Sequence, residues 1–544
     1  MPLKLMEPTT TVCPLPMRTS SREWTLSAER QTPLAFNSPG GPYDEVGMSS
    51  ERRRLLLGTS WTFASTLVAL VAGTILNPVL VLYLGVGGFG TWASAIAFAS
   101  LFGLAGGLGV AAALTKVVAE RRGKRKGIES LGGSALVFAL ATGGIAGLVL
   151  FATSFLMADH VNSAEFPILL RLQALQMPFN LGSVSLLGLL QGDRRFRSLS
   201  VFTMLQSLGS IAMVAGALAA GGGIVGAMAA SVAAAAIGFV LLTLSRKEDL
   251  HFAGTSALSL DFRRLVPFGL QLTVTSALST VLYQADLVLV SALTGDATIV
   301  GIYALAVFST RILWIIPGSI SVTTYPVISE YAAAADSSRV ARYLSAALIA
   351  SLTVVGSLAS GFLLFGRPLL RFFFGPDSVD AYDLAILMLF GTAALGALRS
   401  IAQSLTSIGR PDVSLRISAV GAAALVVLAY TLTRGYGAKG AAFAVSTSFI
   451  LISAALIASI ERFVVRPTGG RLYSKRLGIT AASTAIAAGV SGWLALPAEP
   501  ALFNITTAIV LWSGLVLLII LSSGGRKTWG GIFRGAGPAP ERVP

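Results

Sequence analysis

Cysteine, histidine and charge are all scarce in this chain of 544 residues. It has one cysteine and two histidines, and only 12% of its residues are charged. A lone cysteine, Cys13, excludes a disulfide framework. Because His160 and His251 both fall in polar connections, a metal centre built on Cys or His is not expected either. We therefore predict neither a metal nor a cofactor.

The low charge also excludes an ordinary soluble protein, in which about 25% of the residues are charged. Hydrophobic residues make up 54% of the chain, which is typical of a polytopic membrane protein. The net charge of +15 could indicate a nucleic-acid partner. Its distribution argues against nucleic acid, because the basic residues lie between long apolar segments.

Fourteen apolar segments follow residue 55, each long enough to cross a bilayer as a helix. They lie at about 56–83, 89–114, 131–157, 166–190, 199–220, 223–245, 265–292, 299–326, 343–366, 382–408, 412–433, 438–461, 475–496 and 501–522. With the N-terminus inside, only four basic residues fall in outer connections, namely Arg367, Arg371, Arg434 and Lys439. This alternation predicts an all-α, multi-pass protein of the cell (plasma or inner) membrane with both termini cytoplasmic.

The segments divide the chain into five predicted parts. We expect a disordered cytoplasmic tail at 1–50, six-helix lobes at 51–250 and 251–465, two additional helices within 466–522, and a cytoplasmic tail at 523–544. Residues 1–50 contain no apolar run and do not resemble a signal peptide. Translation that starts at Met48 is an equally good explanation, because residues 1–47 would then not belong to the protein.

An internal repeat relates the two lobes. The stretch GTWASAI at 90–96 and the stretch GIYALAV at 301–307 open the second and eighth segments with the same pattern, offset by 211 residues. GIVGA at 223–227 and GAKGA at 437–441 match with an offset of 214. Because six helices separate the matches, the repeats run parallel, related by an axis along the membrane normal.

Four charged residues lie well within the apolar segments, away from their ends. A charge at that depth costs about 2.5–3.5 kcal/mol, so each must face a wet cavity or a partner. They are Arg171, Asp286, Arg311 and Arg399. We predict that the three arginines line a cationic cavity suited to phosphate oxygens. Two alternatives stay open: Arg171 snorkels to the membrane surface, and Asp286 with Arg311 is either a structural ion pair or an ion-coupling site.

Prolines and the distribution of acids add two expectations. Pro78, Pro178 and Pro317 lie mid-helix and are candidate hinges, with static kinks as the alternative. The first six segments contain no Asp or Glu. An exporter of cationic drugs would usually carry a carboxylate there, so this absence argues against that function.

An ordered set of short motifs resembles the Wzx-type oligosaccharide-lipid flippases of the multidrug/oligosaccharidyl-lipid/polysaccharide transporter superfamily. The set comprises YLGVGGFGTWA at 83–93, YQAD at 283–286, VGIYA at 300–304, the stretch from Pro317 through PVISE at 326–330, and the stretch from Ser404 through GRP at 409–411. The resemblance covers about residues 55–465. It implies a V-shaped pair of six-helix bundles that alternate access to a central cavity lined by cationic residues.

The resemblance also implies a function and partners. A flippase of this kind moves a polyprenyl-diphosphate-linked oligosaccharide from the inner to the outer leaflet, in contact with membrane lipids and with polysaccharide polymerase and export proteins. The alternative is a cation-coupled multidrug exporter of the same superfamily. An enzyme acting on lipid-linked sugars is disfavoured, because the longest outer connection, 366–382, offers only Asp377 and Asp380. We therefore predict no catalytic residue.

Overall fold

A computed structural model describes nine stretches of the chain. They are residues 44–107, 109–123, 129–157, 163–246, 260–333, 337–408, 410–466, 475–495 and 505–523. Within them the regular structure is helical, and none of these residues belongs to a strand. The predicted N-terminal tail lies outside the described residues except for 44–50, which begin the first helix. The predicted C-terminal tail lies outside them beyond residue 523.

Fifteen α-helices follow in order. They are α1 Asp44–Gly107, α2 Val110–Gly123, α3 Glu129–Leu156, α4 Phe166–Gly192, α5 Phe196–Ala219, α6 Gly223–Ser245, α7 Leu260–Thr294, α8 Ala297–Arg311, α9 Ile315–Ala333, α10 Ser337–Phe374, α11 Ala381–Ala402, α12 Ser404–Ser407, α13 Pro411–Ile460, α14 Lys475–Ala495 and α15 Ile505–Ser522. All fourteen predicted segments fall on these helices, which confirms the all-α polytopic fold.

Among the described residues, nine stretches are long and apolar enough to span a membrane. Two of them, Ser60–Leu104 and Pro411–Val465, each hold two predicted segments. The paired segments are divided by glycines with left-handed backbone angles, Gly85 at φ 69° and Gly437 at φ 60°. Glycine adopts this region without the steric penalty that a Cβ brings, so the chain can bend sharply at these two positions.

The second and eighth predicted segments are interrupted rather than continuous. In the second, the break between α1 and α2 includes Gly109, at φ 60°. In the eighth, a short 3₁₀ helix, Ile312–Trp314, separates α8 from α9. Pro317 lies in the first turn of α9 and cannot donate a backbone hydrogen bond to the carbonyl of residue 313, so one α-helical hydrogen bond is missing next to this break. The break directly follows Arg311.

A tight turn joins α7 to α8. Gly295 adopts φ 65° after the last residue of α7. Asp296 then caps α8, because its carboxylate accepts hydrogen bonds from the backbone N–H groups of Thr298 at 2.8 Å and Ile299 at 3.3 Å. The polar sequence GDATI therefore ends one spanning helix and starts the next.

The internal repeat is visible in the backbone. Gly223 and Gly437, which the repeat aligns, both have left-handed angles, φ 58° and φ 60°. Gly90 of α1 and Gly301 of α8, the other aligned pair, lie against each other: a side chain on Gly90 would overlap Ala297 and Gly301, and one on Gly301 would overlap Val86. We call this contact the glycine crossing. It brings the two halves of the chain together backbone to backbone.

Helix packing follows the order of the chain. Helices α2–α6 pack on one another, α7–α13 form a second group, and α14 and α15 pack on α10 and on each other. The groups meet where α2 contacts α7 and around the glycine crossing, where Phe89 and Trp92 share one buried cluster with Tyr303 and Leu305. The exact lobe boundaries, including the one at residue 250, stay predictions.

Candidate functional site

Asp286 is the most deeply buried charged residue of the candidate site. It lies on α7 with no exposed surface. The hydroxyl of Tyr303, on α8, donates a hydrogen bond to its Oδ2 at 3.1 Å, and the guanidinium of Arg311 lies 3.5 Å from the same oxygen. A buried carboxylate is tolerated when it is paired and hydrogen-bonded. Both partners reach it across the α7–α8 hairpin.

Arg311 and Arg399 converge on one pair of aromatic side chains, Tyr283 and Trp314. Arg311 donates to the backbone carbonyl of Tyr283 at 2.7 Å, and Arg399 donates to the hydroxyl of Tyr283 at 3.1 Å. Both guanidinium groups lie 5.1–5.9 Å from the centres of the two aromatic rings. Cation–π attraction therefore contributes to holding two like charges in one place. We call these four side chains with Asp286 and Tyr303 the arginine cluster.

The local sequence explains how the cluster is assembled. Tyr283 and Asp286 are three residues apart on α7 and therefore lie on one helix face. Trp314 sits in the 3₁₀ turn that follows Arg311. Its indole N–H donates to the carbonyl of Thr392 on α11 at 2.8 Å, and its ring occupies the space that a side chain on Gly396 would fill. The aromatic pair is thus fixed before any ligand arrives.

The cluster has unused hydrogen-bonding capacity. Nε of Arg399 is buried without a hydrogen-bond partner, and Nη2 of Arg311 has only its 3.5 Å contact with Oδ2 of Asp286. The Arg311 side chain is 23% exposed and is therefore reachable from outside the protein core. Two guanidinium groups against one carboxylate leave a net charge of +1. This arrangement can bind an anion, and guanidinium geometry matches phosphate oxygens in particular.

Arg171 lies apart from the other two arginines. Its Nε donates to the hydroxyl of Ser154 at 3.2 Å, and its guanidinium stacks on Phe155 at 4.4 Å and on Phe151 at 5.9 Å, all on α3. Both phenylalanine side chains are exposed, at 57% and 43%. An arginine near a helix end beside exposed aromatic side chains is typical of the membrane surface. The three predicted arginines do not share one described site.

The candidate hinges differ from one another. Pro78 lies inside α1 and Pro178 inside α4, both within helices that continue through them. Pro178 packs closely on Gly143 of α3. Pro317 alone of the three follows a 3₁₀ break, next to the arginine cluster. A hinge role for any of them stays a prediction.

Sequence reasoning missed three members of the cluster, namely Tyr283, Tyr303 and Trp314. The signal for two of them is spacing, because Tyr283 precedes Asp286 by three residues and Trp314 follows Arg311 by three. Tyr303 is the aromatic residue of the repeat motif. Within the described residues, no group of three or more His, Cys, Asp or Glu could hold a metal ion.

Comparison with protein families gives two matches. The family model described as "Polysaccharide biosynthesis protein" matches residues 55–332, just over half of the chain. The model described as MatE matches residues 272–431, which include the arginine cluster. No curated protein sequence matches the chain significantly.

Solved structures share the fold at low sequence identity. The lipid II flippase MurJ in an inward closed conformation matches with a TM-score of 0.61 at 16% identity, covering 88% of this chain and 100% of that one. An inward-facing multidrug resistance MATE transporter matches with a TM-score of 0.57 at 14% identity, covering 73% and 95%. The MATE multidrug transporter DinF-BH gives a TM-score of 0.54 at 17% identity, covering 76% and 96%.

The family match and the fold agree with the ordered motifs. They place the protein among transporters of the multidrug/oligosaccharidyl-lipid/polysaccharide superfamily and not among enzymes. The chain belongs to the polysaccharide biosynthesis protein family and is a polytopic membrane transporter.

Proposed function

We propose that this transporter is a flippase that moves a polyprenyl-diphosphate-linked oligosaccharide from the inner to the outer leaflet during cell-surface polysaccharide assembly. The observation that carries the proposal is the arginine cluster. Two guanidinium groups stand inside a largely apolar bundle, the Nε of Arg399 has no hydrogen-bond partner, and a single carboxylate opposes the two charges. Without an anionic ligand, such an excess of positive charge is costly at this depth.

A diphosphate fits the chemistry of this cluster. It offers several anionic oxygens, and each guanidinium can donate two parallel hydrogen bonds to a pair of them. Tyr283 and Trp314 restrict the motion of both arginines, so little side-chain freedom is lost on binding. Because Asp286 already pairs with Arg311, the cluster has a net charge of +1 and favours an anionic ligand. A diphosphate could bridge the two guanidinium groups.

An apolar groove next to the cluster suits the isoprenoid part of such a lipid. The groove has a volume of about 350 Å³ and is formed mainly by α8, the 3₁₀ turn and α10, with one residue from α15. Ile312 and Leu313, which directly follow Arg311, line it together with Phe362, Phe365 and Trp512. A diphosphate held at Arg311 would thus have its hydrocarbon chain within reach of an apolar surface.

The glycine crossing supports transport by alternating access. Gly90 and Gly301 allow the two halves of the chain to close together on the side of the α7–α8 turn. A flippase of this architecture would open there and close at the opposite end to expose its cargo to the outer leaflet. We assign the turn side to the outer face, with both termini cytoplasmic, on the basis of the basic connections.

A cation-coupled multidrug exporter is the second candidate. The MatE match and the fully buried Asp286 favour it, because such exporters need a carboxylate that exchanges a cation. However, Arg311 already lies 3.5 Å from Asp286 and neutralises it. The flippase also explains Arg399, which has no acidic partner in the cluster.

One experiment separates the two candidates. In a strain that lacks the gene, polyprenyl-linked glycans are extracted and sensitivity to cationic dyes is titrated. Accumulated lipid-linked oligosaccharide, missing surface polysaccharide and unchanged dye sensitivity are expected for the flippase. Normal lipid-linked glycans with raised dye sensitivity would assign the protein to the exporters. Polysaccharide polymerase and export proteins are the partners to test for next, by co-purification.

A further inference from the structure

A polar cavity lies in the first half of the chain, on helices that precede α7. It has a volume of about 420 Å³, within the range of small-molecule sites. Helices α1, α4, α5 and α6 line it. Its polar lining consists of neutral side chains throughout, namely Asn77, Ser100, Gln173, Gln176, Asn180, Ser210 and Ser231, with the indole of Trp92.

Three amide side chains form a stripe along one face of α4. Gln173, Gln176 and Asn180 are spaced by three and four residues, so they point in the same direction. The neighbouring Leu175 points away and is 56% exposed. Polar side chains inside a membrane-spanning helix are uncommon unless they pair with one another or serve a ligand. The stripe therefore needs an explanation.

The protein itself satisfies these amides only in part. The carbonyl oxygen of Gln176 accepts a hydrogen bond from Ser231 at 3.4 Å, and the NH₂ of Gln173 donates to the sulfur of Met228, a weak acceptor, at 2.9 Å. Among the described residues, Asn180 has no hydrogen-bond partner. Each amide can make up to four hydrogen bonds, so most of this capacity remains for a ligand.

The repeat relates this cavity to the arginine cluster. A shift of 211 residues, which aligns Gly90 with Gly301, aligns Trp92 with Tyr303 and Ser100 with Arg311. Trp92 and Ser100 line the neutral cavity, whereas Tyr303 and Arg311 belong to the cluster. Equivalent positions of the two halves thus form two polar sites, one cationic and one uncharged.

We propose that the amide-lined cavity binds the uncharged sugar hydroxyls of the transported glycan. This assignment rests on the proposed function and extends it. Amides both donate and accept, as hydroxyls do, and the indole offers a flat apolar surface with one N–H. A cationic drug would find no carboxylate in this lining. A diphosphate would find no cation there, so the two sites divide one amphiphilic cargo between them.

The test compares two lipids on purified protein in nanodiscs. One is polyprenyl diphosphate without sugar, and the other is the oligosaccharide-linked lipid extracted from the strain that lacks the gene. Gln176→Leu and Asn180→Leu are each expected to weaken binding of the oligosaccharide lipid about three- to tenfold, the effect of losing one neutral hydrogen bond. Binding of the bare polyprenyl diphosphate is expected to stay unchanged. Arg311→Ala is expected to weaken both.

Gln206→Leu is the matched control, because Gln206 lies on α5 outside this cavity and receives the same change. Amide variants that bind both lipids as wild type does, or that lose both equally, would overturn the sugar site while leaving the flippase intact. A wild-type protein that binds neither lipid would overturn the proposed function and the sugar site with it. Retained thermal stability shows that the variants fold, and Gln176→Asn should recover part of the lost affinity.

Discussion

The two halves of the chain build similar backbones and place different chemistry on them. In the first half, the polar positions of the spanning helices hold neutral amides and hydroxyls around Trp92. In the second half, the aligned region holds Arg311, Arg399 and Asp286 around Tyr283 and Trp314. The glycine crossing, by contrast, is the same in both. The internal repeat thus preserves the contact that joins the two halves, whereas the side chains proposed to bind a ligand differ between them.

The difference also explains why the paired charges lie in the second half, whereas Arg171 of the first half lies beside exposed aromatic rings. A buried arginine needs a carboxylate, an aromatic face or a ligand nearby, and the second half supplies the first two through Asp286, Tyr283 and Trp314. The amide cavity has no such support and holds no charge. Two kinds of variant test this comparison. One alters the glycine crossing, which the two halves share, and the other removes charged side chains, in which the halves differ.

Changes at the glycine crossing are expected to have the largest effect. Gly301→Ala places a methyl group into the backbone of Val86, and Gly90→Ala places one into the backbone of Ala297 and Gly301. Backbone atoms cannot move aside as a flexible side chain can, so the halves cannot close on this side. We expect each variant to abolish transport, measured as accumulated lipid-linked oligosaccharide in the complemented deletion strain.

Gly73→Ala is the control for the crossing, because a side chain on Gly73 of α1 meets nothing within 4 Å. It should complement fully. Equal transport defects in Gly90→Ala and Gly301→Ala would show that the two halves contribute equally to the crossing. Normal transport by either variant would show that the crossing does not have to close.

Removal of Arg311 is expected to have the next largest effect. Arg311→Ala leaves Asp286 buried without its charge partner, and breaking a buried ion pair from one side costs about 3–5 kcal/mol. We expect a marked fall in thermal stability together with a loss of transport. The double variant Arg311→Ala/Asp286→Asn removes both charges, so it should regain much of the stability but none of the transport. Recovery of transport as well would mean that the pair is purely structural.

Removal of Arg399 should weaken lipid binding with little loss of stability. Among the described residues its guanidinium bonds to the hydroxyl of Tyr283 and lies over aromatic rings, so no described buried acid is left unpaired. A charge-assisted hydrogen bond contributes about 1.5–3 kcal/mol, so Arg399→Ala should lower the affinity for polyprenyl diphosphate about ten- to a hundredfold. Arg367→Ala, which breaks an exposed pair with Asp383 at 3.4 Å, is the control and should change neither property.

The sequence was sufficient for the fold because hydropathy and charge alternation are signals summed over many residues. Fourteen apolar segments and a nearly constant offset between motifs predicted the helices and their parallel repeat. Hydropathy and charge alternation could not predict where a helix breaks. The interruption after Arg311 lies next to one proline, and the one between α1 and α2 includes Gly109 with its left-handed backbone angle.

The site was predicted only in part, because depth in the membrane does not tell which side of a helix a residue faces. Asp286, Arg311 and Arg399 lie close together because α8 packs on both α7 and α11. Arg171 also lies in an apolar segment, but its side chain contacts α3 and not the arginine cluster. Neutral amides escaped notice, since a glutamine inside an apolar run stands out less than an arginine does.

Arg171 provides the last and smallest expected effect. Its partners, Ser154, Phe151 and Phe155, are neutral, and both aromatic rings are largely exposed. This setting predicts that Arg171 snorkels to the membrane surface, in which case its loss would remove a contact with headgroups and not with cargo. We expect Arg171→Ala to change transport less than twofold, and Arg171→Lys not at all. A defect as large as that of Arg399→Ala would mean that the first half also holds a charge on the cargo, and that the division between a neutral site and a cationic one is wrong.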